Sequence, residues 1–93
     1  MGGNLDLQGT RLQSLGELRE VVGNLNLEGT GIQSLGSLTR VEGYLNLYGT
    51  GIQSLGSLTK VGGNLDLQGT PISKTHTEQE IRAQVQVEGR VLL

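Results

Sequence analysis

The sequence predicts a solenoid of stacked coils with a parallel β-sheet along one side. The main observation is a motif, Gly-x-Leu-x-Leu, that recurs at a step of about twenty residues. Its four copies begin at Gly3, Gly23, Gly43 and Gly63. Each copy is followed by Gly-Thr and a further apolar residue, and three copies continue as Ser-Leu-Gly-x-Leu. A fixed period with fixed apolar positions is typical of a chain in which each coil packs on its neighbours.

Each motif predicts a short strand, because leucines two residues apart point to the same face. Two buried ladders are expected, one of Leu5, Leu25, Leu45 and Leu65 and one of Leu7, Leu27, Leu47 and Leu67. The other walls of the coil are expected to hold Leu12, Ile32, Ile52, Ile72, Leu35, Leu55, Leu38, Leu58, Val41 and Val61. Gly29, Gly49 and Gly69 are expected at sharp turns that need a positive φ.

The pattern changes after Pro71. Thr77 and Glu80 form a capping-box sequence, which predicts a short helix over 78–84 with Ile81 facing inward. Residues 87–93 align with 41–47 and predict a terminal strand. The chain is therefore expected to be a single domain over 1–93, with repeats of about 1–20, 21–40, 41–60 and 61–86, the terminal strand over 87–93, and one short helix in the last full coil.

The repeat resembles the bacterial twenty-residue type of leucine-rich repeat. The stretch from Leu25 to Leu38 fills every leucine position of that unit, whereas Thr30 replaces its buried asparagine and Gly36 replaces its usual proline. The resemblance implies a right-handed arc with its sheet on the concave side and a mostly extended convex side. A ladder of threonine hydroxyls is the hypothesis for what satisfies the turns in place of asparagine.

Composition limits the classes of function. The 93 residues carry a formal net charge of −2, which favours neither nucleic acid nor an anionic membrane as partner. With no Cys the chain has no thiolate nucleophile, disulfide or cysteine-ligated zinc. The sequence shows no signal peptide and no apolar run long enough to span a membrane, so the cytoplasm is the expected location. No cofactor is predicted.

No motif indicates catalysis, and the protein is predicted not to be an enzyme. The single histidine, His76, has no nucleophile or acid placed beside it by a motif. Asp6 and Asp66 are expected roughly 14 Å apart, too far to share a proton or a metal ion. Arg40 and Lys60 share one position at the coil edge, where a solvated rim is a better interpretation than an anion site.

The outward strand positions form the expected binding surface, since solenoids present the concave sheet to ligands. Both aromatic residues of the chain lie here, two residues either side of Asn46. Exposed tyrosines are favoured anchors in interfaces, although tyrosine also has a high propensity for strands. The predicted protein-binding residues are Tyr44, Asn46, Tyr48, Asn24, Asn26, Glu28, Asn64 and Asp66.

The two ends of the solenoid are expected to self-associate. The first motif begins directly after Met1-Gly2 and the sequence ends in Val91-Leu92-Leu93, so both terminal coils are expected to expose strand edges beside leucines. The predicted self-association residues are Leu5, Leu7, Val91, Leu92 and Leu93. A two-fold dimer is the expected form, because such contacts close on themselves.

These patterns favour a non-enzymatic, self-associating protein-binding module of the leucine-rich-repeat type, with a protein partner whose identity the sequence does not give. One alternative is a small inhibitor of a host protein, because the repeats of this chain resemble ones seen in small phage and prophage proteins. A second is a purely structural repeat protein, natural or designed, since residues 31–39 and 51–59 are identical.

Overall fold

The computed structural model describes residues 3–11 and 14–93, which form a parallel β-solenoid. Leu12, expected on a coil wall, lies outside the described residues. In chain order the elements are β1 (Leu5–Asp6), β2 (Glu20–Val21), β3 (Leu25–Asn26), β4 (Arg40–Val41), β5 (Leu45–Asn46), β6 (Lys60–Val61), β7 (Leu65–Asp66), α1 (Pro71–Thr75), α2 (Glu78–Gln84), β8 (Gln86–Val87) and β9 (Val91–Leu92). The predicted solenoid fold is confirmed.

The first sheet has five parallel strands in the order β1, β3, β5, β7 and β9. Leu25 pairs with Leu45, and Leu45 pairs with Leu65, so equivalent leucines of successive coils lie side by side. Leu25 N donates to Tyr44 O at 2.9 Å, and Leu45 N donates to Asn64 O at 2.9 Å. The predicted leucine ladders therefore follow the twenty-residue step.

A second parallel sheet, not predicted from the sequence, runs along another wall of the coils in the order β2, β4, β6 and β8. Its strands β2, β4 and β6 each bury one valine that has no apolar residue two positions away, so no alternating pattern could be recognised in the sequence. Arg40 pairs with Glu20 on one side and with Lys60 on the other. The shared position at the coil edge is therefore confirmed.

The core is a column of aliphatic side chains between the two sheets and the back of the coils. Leu45 and Leu47 in the middle coil are completely buried, as are their equivalents in the coils on either side. In the first coil, Leu5, Leu7 and Leu15 are only partly buried, and they pack against this column from one end. Burial is therefore most complete in the central coils.

The turns after the first-sheet strands use glycine and threonine together. Gly49 adopts a φ of 70°, which an L side chain rarely tolerates. The hydroxyl of Thr50 then donates to Leu47 O at 2.9 Å, and that of Thr70 donates to Leu67 O at 2.6 Å. These two hydroxyls satisfy a carbonyl of their own coil, whereas the buried Thr30 Oγ1 makes no hydrogen bond within the described residues. The threonine hypothesis is therefore supported at Thr50 and Thr70 but not at Thr30.

The last full coil contains the predicted helix, α2, over the expected residues. Thr77 accepts from Glu80 N at 3.2 Å and its own N–H donates to the Glu80 carboxylate at 2.9 Å, so the capping box is confirmed. Ile81 is buried as expected. A second short helix, α1, was not predicted; it starts at Pro71 with Thr70 as its N-cap. Among the described residues, no helix is long and apolar enough to cross a membrane.

Candidate protein-binding face

The outward side chains of the first sheet and of its flanking residues form one polar surface, here called the front face. Buried and less buried positions alternate through the middle strand, where Leu45 and Leu47 point inward and Tyr44, Asn46 and Tyr48 do not. All eight predicted protein-binding residues lie on this face. Its members are Asn4, Asp6, Gln8, Asn24, Asn26, Glu28, Tyr44, Asn46, Tyr48, Asn64, Asp66, Gln68, Arg90 and Leu92.

A ladder of asparagines at the start of the strands joins successive coils. Asn24 Oδ1 accepts a hydrogen bond from Tyr44 N at 2.9 Å, and Asn4 Oδ1 accepts one from Asn24 N at 3.0 Å. Asn64 Oδ1 accepts from Arg90 N at 2.9 Å. A Cβ added at Gly43 would overlap the Asn24 amide. The recurring Gly-Asn pair is therefore an inter-coil connection, whereas Asn24 and Asn64 were predicted from the sequence only as binding residues.

Tyr44 interrupts this ladder. It occupies the position of Asn4, Asn24 and Asn64, but its ring offers no acceptor where the amide oxygen of asparagine lies. Asn64 N therefore lacks the side-chain bond that Asn24 N and Tyr44 N receive from the preceding coil. The middle coil therefore has one inter-coil hydrogen bond fewer than its neighbours, and Tyr44, which occupies the position, is 40% exposed.

The next outward position is restricted to Asn or Asp for a structural reason. Asn46 Oδ1 accepts from Tyr48 N at 3.0 Å, and Asp66 Oδ1 accepts from Gln68 N at 3.0 Å. The same bond to the backbone two residues on is made by Asp6 and Asn26. These side chains hold the turn that ends each strand, so their polarity alone does not indicate a partner.

One part of the front face is satisfied by its own hydrogen bonds. Gln8 Nε2 donates to Glu28 Oε2 at 2.9 Å, and Asn46 Nδ2 donates to Glu28 Oε1 at 3.3 Å. Asn26 Nδ2 donates to Gln8 Oε1 at 3.3 Å. Both carboxylate oxygens of Glu28 are thus engaged by amide groups, which leaves this region pre-formed and internally bonded.

The other part of the front face contains a shallow groove of about 180 Å³. The residues that line it are Tyr44, Leu45, Asn46, Asn64, Asp66 and Leu92. Leu92 pairs with Asp66 across β7 and β9, and Asp66 pairs with Asn46 across β5 and β7. Short polar side chains therefore form the floor, and the larger Tyr44 and Leu92 stand at its sides. Leu92, predicted as a self-association residue, belongs to this groove.

The basic residues at the coil edge are held by acidic neighbours. Arg40 Nη2 lies 2.8 Å from Glu20 Oε2, and Arg40 Nε approaches Glu42 Oε1 at 3.1 Å as an ion-pair contact without an aligned hydrogen bond. The hydrogen bond to Glu20 and the two nearby negative charges raise the pKa of Arg40. Lys60 Nζ lies 3.8 Å from Glu88 Oε1. This edge is a charge-paired rim, in agreement with the interpretation preferred from the sequence.

His76 lies in a small crevice between the back of the third coil and the two helices. Its Nδ1 lies 2.8 Å from Thr75 Oγ1, and Gln53, Ile72 and Ile81 line the same crevice. In the part of the chain that the structure describes, no group of three His, Cys, Asp or Glu residues could hold a metal ion.

The predicted self-association residues occupy different surroundings. Leu5 and Leu7 are partly buried against the core at the first coil, and Val91 is 8% exposed at the other end. Leu93 is 39% exposed. The half-buried Leu92 lies on the front face, beside Asp66.

The fold and this face together define the class of protein: a parallel β-solenoid with a polar sheet surface and two exposed tyrosines at its centre. Comparison of the chain with models of known families, with curated proteins and with solved structures gives no match.

Proposed function

We propose that this protein is a non-enzymatic binding module of the leucine-rich-repeat type that holds another protein against its front face, with Tyr44 and Tyr48 as anchors. The observation that carries the proposal is the break in the asparagine ladder. At the centre of the face an inter-coil hydrogen bond is replaced by an exposed ring, so the requirements of the fold do not explain why tyrosine stands at position 44. Partially exposed aromatic rings are common anchors in protein interfaces.

The shape of the face favours a protein over a small molecule. Sites for small ligands enclose most of the ligand surface, whereas the groove beside Tyr44 is shallow and open. Tyr48, which is 48% exposed, lies outside that groove on the same face. A partner that contacts both rings must therefore extend along the middle coil beyond the groove. The proposal places the protein in the cytoplasm, because a chain without cysteine has no disulfide that a reducing compartment would break.

The test compares the chain with a Tyr44→Ala, Tyr48→Ala double variant as baits in a lysate of the organism that encodes it. The matched control is Gln33→Ala, Gln53→Ala, a stacked pair of exposed residues away from the front face. Proteins retained by the wild type and the control but lost by the tyrosine variant are then purified and titrated by calorimetry. Equal retention by all three baits would refute the proposed site.

Self-association through the terminal edges is a second candidate function, favoured by the burial of the first coil. Leu5 and Leu7 are only partly buried, whereas Leu25 and Leu27 are completely buried beneath the next coil. A second copy stacked on this edge would complete that burial and pair the strand backbone. Leu5→Lys is then expected to shift the assembly toward monomer in sedimentation experiments.

The other edge provides an independent variant, in which Val91 and Leu93 are both replaced with lysine. A monomeric wild type at tens of micromolar would rule out association through either edge, whereas a dimer unaffected by these substitutions would place the contact elsewhere. The small-inhibitor alternative shares the front face with the main proposal, and the identity of the captured protein distinguishes it.

A further inference from the structure

We propose that the partner presents an extended basic segment to the front face, and that one arginine or lysine of this segment occupies the groove between Tyr44 and Leu92 with Asp66 as its counter-ion. This inference rests on the proposed function and specifies the chemistry of its partner. It follows from the distribution of ion pairs, from the hydrogen bonds of each front-face acid, and from the shape of the groove.

Six of the described acidic residues lie away from the front face, and most of these make an ion pair. Four of these six acids are paired with cations: Glu20 and Glu42 with Arg40, Glu88 with Lys60, and Glu78 with Arg82. Of the other two, Glu80 accepts a hydrogen bond from Thr77 N in the capping box, and Glu17 enters none of the ion pairs found within the described residues. The front-face acids, Asp6, Glu28 and Asp66, enter none of the ion pairs found within the described residues.

The front face therefore carries excess negative charge. Arg90 is the single cation among its members, at the end beside β9. A partner with positive charge would complement this face, whereas an acidic partner would be repelled.

Asp66 is the front-face acid best placed to receive a cation. Glu28 has each carboxylate oxygen occupied by an amide donor. Asp66 uses Oδ1 for Gln68 N, and Asp66 is one of the residues that line the groove. Asp66 Oδ2 enters none of the hydrogen bonds found within the described residues, so Asp66, unlike Glu28, keeps one whole carboxylate oxygen for a ligand.

The walls of the groove suit the remainder of a long cationic side chain. Arginine and lysine cover apolar surface with their methylene stems while their charged ends bind acceptors, and Leu92 provides such a surface beside Asp66. A cation near the face of an aromatic ring gains further attraction, which Tyr44 can supply from the opposite side. A neutral apolar side chain would leave the Asp66 carboxylate unpaired.

The experiment titrates the full chain against a fluorescein-labelled peptide of alternating glycine and arginine, followed by fluorescence anisotropy. Alternation places successive arginines on one side of an extended peptide. A peptide of identical length with citrulline in place of arginine is the control, since it keeps the shape and removes the charge. Binding is expected for the arginine peptide alone, and it should weaken as salt is added.

The decisive variants are Asp66→Asn and Asp6→Asn. Both aspartates lie in the same eight-residue sequence, Gly-Asn-Leu-Asp-Leu-Gln-Gly-Thr, and both substitutions change the net charge equally. Asparagine already stands at the equivalent positions 26 and 46 and makes the same turn hydrogen bond there, so neither variant should unfold. Asp66→Asn is expected to weaken binding about tenfold, the effect of losing one charge-assisted hydrogen bond, and Asp6→Asn less than twofold.

Tyr44→Leu is expected to weaken binding about threefold, because it keeps an apolar wall and removes the ring. If the two aspartate variants weakened binding equally, the peptide would be held by diffuse attraction to the whole face and the proposed site at Asp66 would be wrong. Binding of the citrulline peptide as tightly as the arginine peptide, or no binding of the arginine peptide, would overturn the inference. If the tyrosine double variant nevertheless loses its captured protein, the binding face stands and only its proposed basic partner is wrong.

Discussion

Replacing Tyr44 with asparagine should strengthen the connection between coils and weaken partner binding. The introduced amide oxygen would accept from Asn64 N, as Asn24 Oδ1 accepts from Tyr44 N one coil earlier. The space is already present, because Gly63 lies beside Tyr44 as Gly43 lies beside Asn24, with no Cβ to obstruct an amide. The substitution would therefore extend the ladder through every described coil.

The size of the effect is isolated by comparing Tyr44→Asn with Tyr44→Ala, since both remove the ring and only the former restores the hydrogen bond. A typical intramolecular hydrogen bond contributes about 1 kcal/mol net, so Tyr44→Asn should be the more stable by about that amount. In a domain of this size the difference corresponds to about 4–8 °C in Tm. Asn24→Ala removes the existing bond to Tyr44 N and should lower stability by a similar amount.

The assay is urea unfolding followed by circular dichroism, with the slope compared among variants to confirm that the same surface is exposed. Partner affinity is measured in parallel and should fall equally in the asparagine and alanine variants. The reasoning would be refuted if the two variants were equally stable, because position 44 would then not belong to the ladder.

Two further outcomes follow from the core and from α2. Leu45→Ala should lower the free energy of unfolding by about 2–5 kcal/mol and Asn46→Ala by about 1 kcal/mol, and equal losses in urea melts would contradict the inward and outward assignment. The hydrogen bond from Thr77 N holds the pKa of Glu80 below its usual value. This hydrogen bond should stabilise the folded chain at pH values above the pKa of Glu80 in the unfolded state. Its contribution should be lost as pH falls through the pKa of Glu80 in the folded state. Glu80→Gln should therefore show a smaller drop in urea midpoint between about pH 5 and about pH 3, and an unchanged drop would exclude Glu80 as a cause.

Two kinds of element could be predicted from the sequence: the strands that recur at a constant step, and the helix that begins with a distinctive capping pair. The first sheet followed from the Leu-x-Leu alternation at a constant step, which specifies both the face and the register. The helix over 78–84 followed from Thr77 and Glu80, whose reciprocal bonds are a local property of the chain. Neither inference required knowledge of distant contacts.

The missed elements depend on neighbours rather than on local pattern. The strands of the second sheet form because adjacent coils lie in register. In β2, β4 and β6 the single buried valine has no apolar residue two positions away, so no alternation in the sequence indicates them. The helix α1 has a recognisable signal in Thr70 as N-cap and Pro71 at the first helical position. The equivalent residues of the earlier coils, 31–35 and 51–55, are not helical, so the repeat pattern did not indicate a helix at 71–75.

The front face shows how far repetition can be interpreted as function. The alternation assigned these residues to the outward side of the strands, where the structure has them, but it could not distinguish an amide that holds the fold from one that is available to a partner. Asn24 and Asn46 are occupied by backbone donors, so their recurrence is explained by stability. In a repeat protein, a position that departs from a structurally required residue is therefore more informative about binding than one that conforms. Tyr44 is such a departure, and one of the residues that line the groove beside it is Asp66, an acid with no ion-pair partner among the described residues.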